Sequence, residues 1–331
     1  MTRSTRLRVF GTWVLLLAVW AGNAAAADPQ IVSVRKIWDR APHNAFTDLI
    51  RFRDRWYCVF REGERHGGGA DGKIRLIVSS DGRDWESSAL LAEIGVDLRD
   101  PKLSVMPDGR LMLVAGGSVL QNDVYRTRVP RVAFSKDGRN WTPTQKVLAE
   151  DHWLWRVTWH QANGYSISKL GAGRNPGSRR VMLYSSTNGL DWKWLTEFES
   201  IPAWPNEATV RFLPDDEMII LLRRNKTGWI GISRPPYIVW TWTDTGHQLG
   251  GPNFIRLPNG ELWAGSRSYT GGAKTVLARM TRTSYQPVLT LPSGGDTSYP
   301  GLVWHDGLLW MSYYSSHESK TSIYLAIIRL K

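Results

Sequence analysis

One short element recurs along the chain: "SSDGRDW" at 79–85, "SKDGRNW" at 135–141 and "SSTNGLDW" at 185–192. The copies stand about fifty residues apart, and recurrence at a fixed period marks a repeat architecture whose units stack on one another. Around them helical periodicity is nearly absent. Short runs of Val, Ile, Leu, Tyr and Trp alternate with turn signals instead. "LIRFRDRWYCVF" (49–60), "LSVMPDGRLMLVAGG" (103–117) and "LWRVTWHQANGYSISKL" (154–170) each read as strand, tight turn, strand. So do "VRFLPDDEMIILLRR" (210–224), "FIRLPNGELWAGSR" (254–267) and "LVWHDGLLWMSYY" (302–314).

Six hairpins therefore open near residues 46, 99, 154, 206, 252 and 298. After the first three, a third strand runs into the recurring element and a fourth follows, such as "WESSALLAE" (85–93). Four antiparallel strands, six times over, predict an all-β, six-bladed propeller. The last unit runs out after "SIYLAIIRL" (322–330), and "IVSVRKIWD" (31–39) is a spare strand at the start. The spare strand is expected to complete the sixth blade and close the ring, making 28–331 one domain.

Residues 1–27 fall outside this pattern. A basic "MTRSTRLR", an apolar "VFGTWVLLLAVWA" (9–21) and a small-residue "GNAAAAD" predict a signal peptide cut near Ala26 or Ala27. The apolar run is short for a bilayer span, and no later stretch is apolar enough to cross one. The mature chain is thus expected to be secreted or periplasmic. The formal net charge is +12, of which Arg3, Arg6 and Arg8 belong to the leader. The remaining positive charge is scattered and forms no basic run, which argues against nucleic acid; an anionic glycan suits an exported basic protein better. Eighteen tryptophans fit sheet packing and sugar stacking. The single cysteine, Cys58, makes no intrachain disulfide and is expected to be buried. No His/Cys/Glu group has metal-ligand spacing. No metal or cofactor is implied, and a monomer is expected.

The Ser-x-Asp-Gly-x-x-Trp element resembles the Asp-box repeat of sialidases and related propellers, the turn between a blade's third and fourth strands. The resemblance implies that Asp81, Asp137 and Asn188 lie on the rim, away from any active site, and bond the turn backbone. It implies a special glycine conformation and burial of Trp85, Trp141 and Trp192 between blades. In the third copy Thr187 stands where the acid usually sits. Asp boxes also occur in non-enzymatic propellers, so they speak to fold alone.

A second resemblance, to the exo-α-sialidases, extends over most of 28–331. In that family an Asn- or Ser-Glu pair opens the fourth blade and an Arg ends the next strand. "NEATVRFLPDDEMIILLRR" is similar, with Glu207 and Arg223. A further Arg closes the second strand of blade five, matching Arg267 of "GSRSY". The nucleophilic Tyr matches Tyr299 of "YPGL", with Pro300 where the family has Ser. Glu318 matches a later Glu that braces the arginines, and Asp71 matches the acid/base. The family's first arginine, in an Arg-Ile-Pro motif, is replaced by "AFTDL", with Thr47 or Asp48 in its place. Arg61 of "FREG" and Arg99 of "RDP" are the nearest substitutes, and Glu62 and His66 of "FREGERH" are additions. Asp100, before Pro101, reads as a turn cap.

The resemblance implies a retaining exo-glycosidase. Arg223 and Arg267 grip the sugar's carboxylate. Tyr299, activated by Glu207, replaces a carboxylate nucleophile that the substrate's charge would repel. Asp71 protonates the leaving oxygen. The changed first arginine leaves two alternatives: another acidic or sulfated glycan on the same fold, or a non-catalytic carbohydrate- or protein-binding propeller.

Overall fold

Turn chemistry places the six hairpins at the positions the sequence pattern predicts. The computed structural model describes residues 1, 28–67, 72–121, 124–171, 179–199 and 201–331; the leader at 2–27 and the loop residue Asp71 lie outside them. Blade one comprises His43–Phe52, Arg55–Gly63, Lys73–Ser79 and Glu86–Leu91. Blade two comprises Val96–Val105, Leu111–Gln121, Val124–Ser135 and Gln145–Lys146. In blade three the inner strand is split into His152–Leu154 and Thr158–His160, followed by Asn163–Leu170, Arg180–Ser186 and Lys193–Glu197. Blade four runs Ala208–Phe212, Met218–Leu222, Thr227–Ser233 and Thr241–Gln248. Blade five runs Gly250–Arg256, Leu262–Ser268, Lys274–Met280 and Tyr285–Thr290. Blade six has Thr297–His305, Leu308–Glu318 and Lys320–Arg329, and its fourth strand is Gln30–Trp38, paired antiparallel with Ile31 opposite Ile328. The expected closure is therefore present. Among the described residues no helix is long and apolar enough to cross a membrane.

The inner strands carry a shared irregularity. In blades one, two, five and six the first hairpin slips register between Ala45 and Asp48, Arg99 and Lys102, Gly250 and Asn253, and Ser298 and Gly301. Each slip is a bulge built on a left-handed residue: Phe46 (φ 65°), Asp100 (φ 50°), Gly251 (φ 58°) and Tyr299 (φ 49°). Pro101, Pro252 and Pro300 follow three of the four; they have no N–H to offer a ladder, and a bulge asks for none. The bulges turn the first residues of these strands toward the axis.

Beneath them, side chains tie neighbouring blades together. Lys102 Nζ donates to Thr47 O (3.1 Å), Thr47 Oγ1 to Tyr299 O (2.6 Å) and Asn253 Nδ2 to Pro300 O (2.9 Å). Thr209 Oγ1 donates to Pro252 O (3.0 Å), Thr158 Oγ1 to Val210 O (2.6 Å) and Trp159 Nε1 to Ser104 Oγ (3.2 Å). Across the middle, Arg156 grips the wholly buried Asp48 with both terminal nitrogens, at 2.6 and 2.8 Å. Asp48 also accepts from the Leu49 and Leu103 backbone N–H groups. Thr47 and Asp48 thus hold the ring together under its floor.

The recurring turns use one bonding scheme. Ser79 Oγ accepts from Gly82 N (2.8 Å), and Asp81 Oδ1 accepts from Arg83 N (2.8 Å) and Asp84 N (3.2 Å). Ser135 and Asp137 repeat this, and so do Ser186 and Asn188. In the third copy the acid's place is held by Asn188, not Thr187; its amide oxygen accepts the same two N–H groups. The tryptophans differ from expectation. Trp85, Trp141 and Trp192 are half-buried, each donating Nε1 to its own turn's glycine carbonyl. At these turns it is the glycines that meet the neighbouring blade. A Cβ on Gly82 would strike Trp310 of blade six, one on Gly138 would strike Tyr57 of blade one, and one on Gly189 would press on Met112 of blade two. All three have φ of 74–77°. Gly138→Ala is therefore expected to destabilise by more than ~1 kcal/mol, from a left-handed conformation and a blocked contact together. Chemical unfolding measures the loss. Ligand binding by the folded fraction is expected to stay unchanged, because this turn lies away from the cleft on the ring axis.

Candidate active site

At one end of the axis the bulged strands surround an open cleft with about 690 Å³ of empty space. Tyr299 reaches it from the blade-six bulge. Glu207 stands just before the inner strand of blade four, and Arg223 just after that blade's second strand. Tyr299 Oη donates to Glu207 Oε1 at 2.6 Å, and Arg223 Nη1 lies 2.7 Å from both Glu207 oxygens. Only glycine fits beside the phenol, because a Cβ on Gly251 would come within 2.7 Å of the Tyr299 ring. Phe46 packs edge-on against that ring, with centroids 5.2 Å apart.

The charges of this trio follow from burial and neighbours. Burial, and then the Glu207 charge, hold the Tyr299 hydroxyl well above its ordinary range, so it stays protonated in the free protein. Burial alone would raise Glu207, but Arg223 and the Tyr299 hydrogen bond outweigh it and keep the carboxylate ionised. The Glu207 charge in turn holds the Arg223 proton more tightly than usual.

Arg267, on the second strand of blade five, donates Nη2 to Tyr314 Oη (3.0 Å) and Asp296 Oδ1 (3.3 Å). Tyr269 Oη accepts from Arg223 Nη2 and Arg267 Nη1, both at 3.4 Å, so one phenol oxygen joins the two guanidinium groups. The other Asp296 oxygen lies 2.6 Å from His66 Nδ1 and 3.1 Å from His43 Nε2. Burial would raise Asp296, but the His43, His66 and Tyr314 bonds prevail and keep it ionised. One ligand atom each from His43, His66 and Asp296 falls within 4.8 Å of the others, a grouping that positions 43, 66 and 296 hide in the sequence.

Most of the expected site residues come together. Glu207, Tyr299, Arg223, Arg99 and His66 line the cleft, and Arg267 reaches Arg223 through Tyr269. Arg99 donates to Tyr125 Oη (3.1 Å) and lies 5.1 Å from the centre of the Phe46 ring. Two residues do not join them. Arg61 is wholly buried below its loop, with Nε on Asp97 Oδ1 at 2.7 Å and Nη1 on Arg65 O. Gly63 and Gly72 pack against its guanidinium, so it secures the loop and faces no ligand. Glu318 sits at a hairpin tip, its side chain 49% exposed and paired with Lys36 at 3.1 Å. The bracing role expected of it falls to Glu207 on Arg223 and Asp296 on Arg267. Glu62 is structural as well, bonded to Trp38 Nε1 and Arg75.

The sequence reading missed Asp100 and Lys169 as cleft residues, and Tyr269 as the phenol that links Arg223 to Arg267. Asp100 is buried on the blade-two bulge, its Oδ1 has no hydrogen-bond partner among the described residues, and burial raises its pKa above the ordinary range. The available signal was the repeated left-handed-residue-plus-proline at Asp100-Pro101, Gly251-Pro252 and Tyr299-Pro300.

No family model and no curated protein matches the chain. Solved structures do. A Dyadobacter fermentans protein described as of unknown function superimposes with a TM-score of 0.80 at 17% identity, covering 92% of this chain and 100% of that one. A Trypanosoma rangeli sialidase in complex with the inhibitor DANA gives 0.70 at 11% identity, covering 92% of this chain; this chain spans only 60% of that enzyme. A Fusarium graminearum α-L-arabinofuranosidase bound to arabinobiose gives 0.69 at 15% identity, with 90% of this chain and 98% of that one covered. At these identities the likeness establishes a shared sialidase-like, six-bladed fold.

Proposed function

We propose that this chain is an exported, retaining glycoside hydrolase that removes a terminal acidic sugar, sialic acid being the first candidate. The observation that carries the reading is the 2.6 Å Tyr299–Glu207 hydrogen bond beside paired arginines. Tyr299 Oη attacks the anomeric carbon as its proton passes to Glu207 Oε1. The bond to the leaving oxygen breaks, and that oxygen takes a proton from the acid/base, Asp71. Asp71 then removes a proton from water, which attacks the same carbon, and Tyr299 leaves with the proton returned from Glu207. Arg223, Arg267 and Arg99 receive the sugar's carboxylate. The lining is basic, with Arg99, Arg128, Lys169, Arg179 and Arg223 against Asp100 and Glu207, which favours an anionic sugar over a neutral pentose. The leader at 1–27 and a monomeric domain at 28–331 belong to the same proposal.

The test is a panel of fluorogenic glycosides containing a sialoside, uronides and an α-L-arabinofuranoside. Release from the sialoside or a uronide is expected. Release from none of them moves the weight to a glycan-binding propeller.

Asp100 supports a second reading of the proton donor, because burial shifts its carboxyl toward the protonated form beside the cleft. The two readings separate cleanly. Asp71→Ala is expected to slow natural glycosides by about 10²–10⁴-fold and to spare substrates with good leaving groups, which need little protonation. Asp100→Asn is expected to lack that leaving-group dependence. Steady-state rates on both substrate types decide, and the reverse pattern assigns the proton to Asp100.

A further inference from the structure

We propose that the cleft contains a second anion subsite, built from Lys169, Arg179 and Arg128, and therefore accepts a glycan with two anionic groups. The inference rests on the acidic-sugar reading and extends it. Arg223 and Arg267 would hold the first carboxylate from blades four and five. The second site lies toward blades two and three, since Arg128 is on the third strand of blade two, Lys169 on the second strand of blade three, and Arg179 just before that blade's third strand.

Three observations converge here. First, Lys169 is 8% exposed, yet its ammonium is held by a neutral group, Asn206 Oδ1 at 2.9 Å, between Trp153 and Trp155. Among the described residues neither Lys169 nor Arg179 has a carboxylate within ion-pair distance. A buried cation without a directly paired carboxylate is costly until an anion arrives. Second, the basic groups disfavour one another. Burial lowers Lys169 to about 8; the Glu207 charge opposes this, and Arg179 and Arg128 add to it. Burial likewise lowers Arg128 and Arg179, with further repulsion from Arg99 and Arg223 respectively. Third, the cleft's own carboxylates are committed elsewhere. Glu207 serves Arg223 and Tyr299, and burial shifts Asp100 toward its uncharged form. Arg128 lies over the Tyr125 ring (4.3 Å) and Arg179 over the Trp204 ring (5.2 Å), contacts that hold both guanidinium groups at the cleft.

The ligand chemistry is an oxyanion on the same glycan as the first carboxylate, either a sulfate ester or a second carboxylate. Three probes separate these sources: an unsulfated uronic acid disaccharide, the same disaccharide with one sulfate, and a disialyl disaccharide. Calorimetric affinities at fixed salt are measured for the wild type, Lys169→Met and Arg179→Met, with the exposed Arg83→Met as a charge control. A doubly charged probe is expected to bind at least tenfold tighter than the unsulfated one. That ratio should fall to within about twofold of unity in Lys169→Met and Arg179→Met, and persist in Arg83→Met. The doubly charged probe that is favoured identifies the oxyanion. Equal affinities, no binding by any probe, or a ratio that survives both cleft substitutions overturns the subsite. The hydrolase reading is judged apart. Binding preference without turnover leaves the subsite and sinks the hydrolase; turnover without preference does the opposite.

Discussion

Tyr299→Phe is expected to cut turnover by roughly a thousandfold or more, about 4 kcal/mol of transition-state stabilisation, while the protein folds normally. The benzene ring keeps the contacts that position it, against Phe46 and over Gly251. Only the hydroxyl goes, and with it the bond to Glu207 Oε1; that carboxylate retains Arg223. A purely structural tyrosine would show a lower melting temperature and an ordinary rate. A nucleophile shows the reverse, so kcat and the melting curve together decide. Wild-type turnover by Tyr299→Phe on the true substrate would end the covalent mechanism.

The largest stability effect is expected far from any chemistry, at Asp48. Its carboxylate joins blades one, two and three through Leu49, Leu103 and Arg156. Asp48→Ala leaves the Arg156 guanidinium buried without its partner, and breaking such a pair costs about 3–5 kcal/mol. Urea unfolding measures it. A smaller loss accompanied by altered ligand affinity in folded protein would place Asp48 at the ligand site instead, at the position where the resembled family has its first arginine.

How far the sequence discloses this molecule depends on the range of each interaction. Hairpins are local, so "PDG", "PNG" and "HDG" between apolar runs locate strands to within a few residues, and a spare first strand beside a last unit that is one strand short implies closure. Glu207, Arg223, Arg267 and Tyr299 are legible for a related reason: each sits at a fixed offset from a hairpin, and the ring converts equal offsets into a common centre. Arg61 obeys the same offset and still fails, because Asp97 of the next blade captures it. Glu318 fails because its hairpin runs past the cleft to an exposed tip. Asp296 and His43 meet His66 only where the last blade meets the first, a juxtaposition with no local trace. The tryptophan burial failed on a detail of the turn, since the left-handed glycine, having no side chain, is what lets the neighbouring blade approach.

The sixth blade draws its strands from both ends of the chain, and this has a kinetic consequence. Gln30–Trp38 cannot find its register until Lys320–Arg329 exists, so it waits as an unpaired edge while almost the whole chain is made. Closing a loop of that length costs roughly 5 kcal/mol of chain entropy, and such long-range pairing slows folding. Once formed, the same clasp resists opening, because neither terminus can peel away without exposing an edge of the last blade. Trimming a few residues from Gln30 onward should therefore speed unfolding far more than trimming an equal length from a surface loop, and circular permutation that moves the termini to a hairpin tip should relieve the wait.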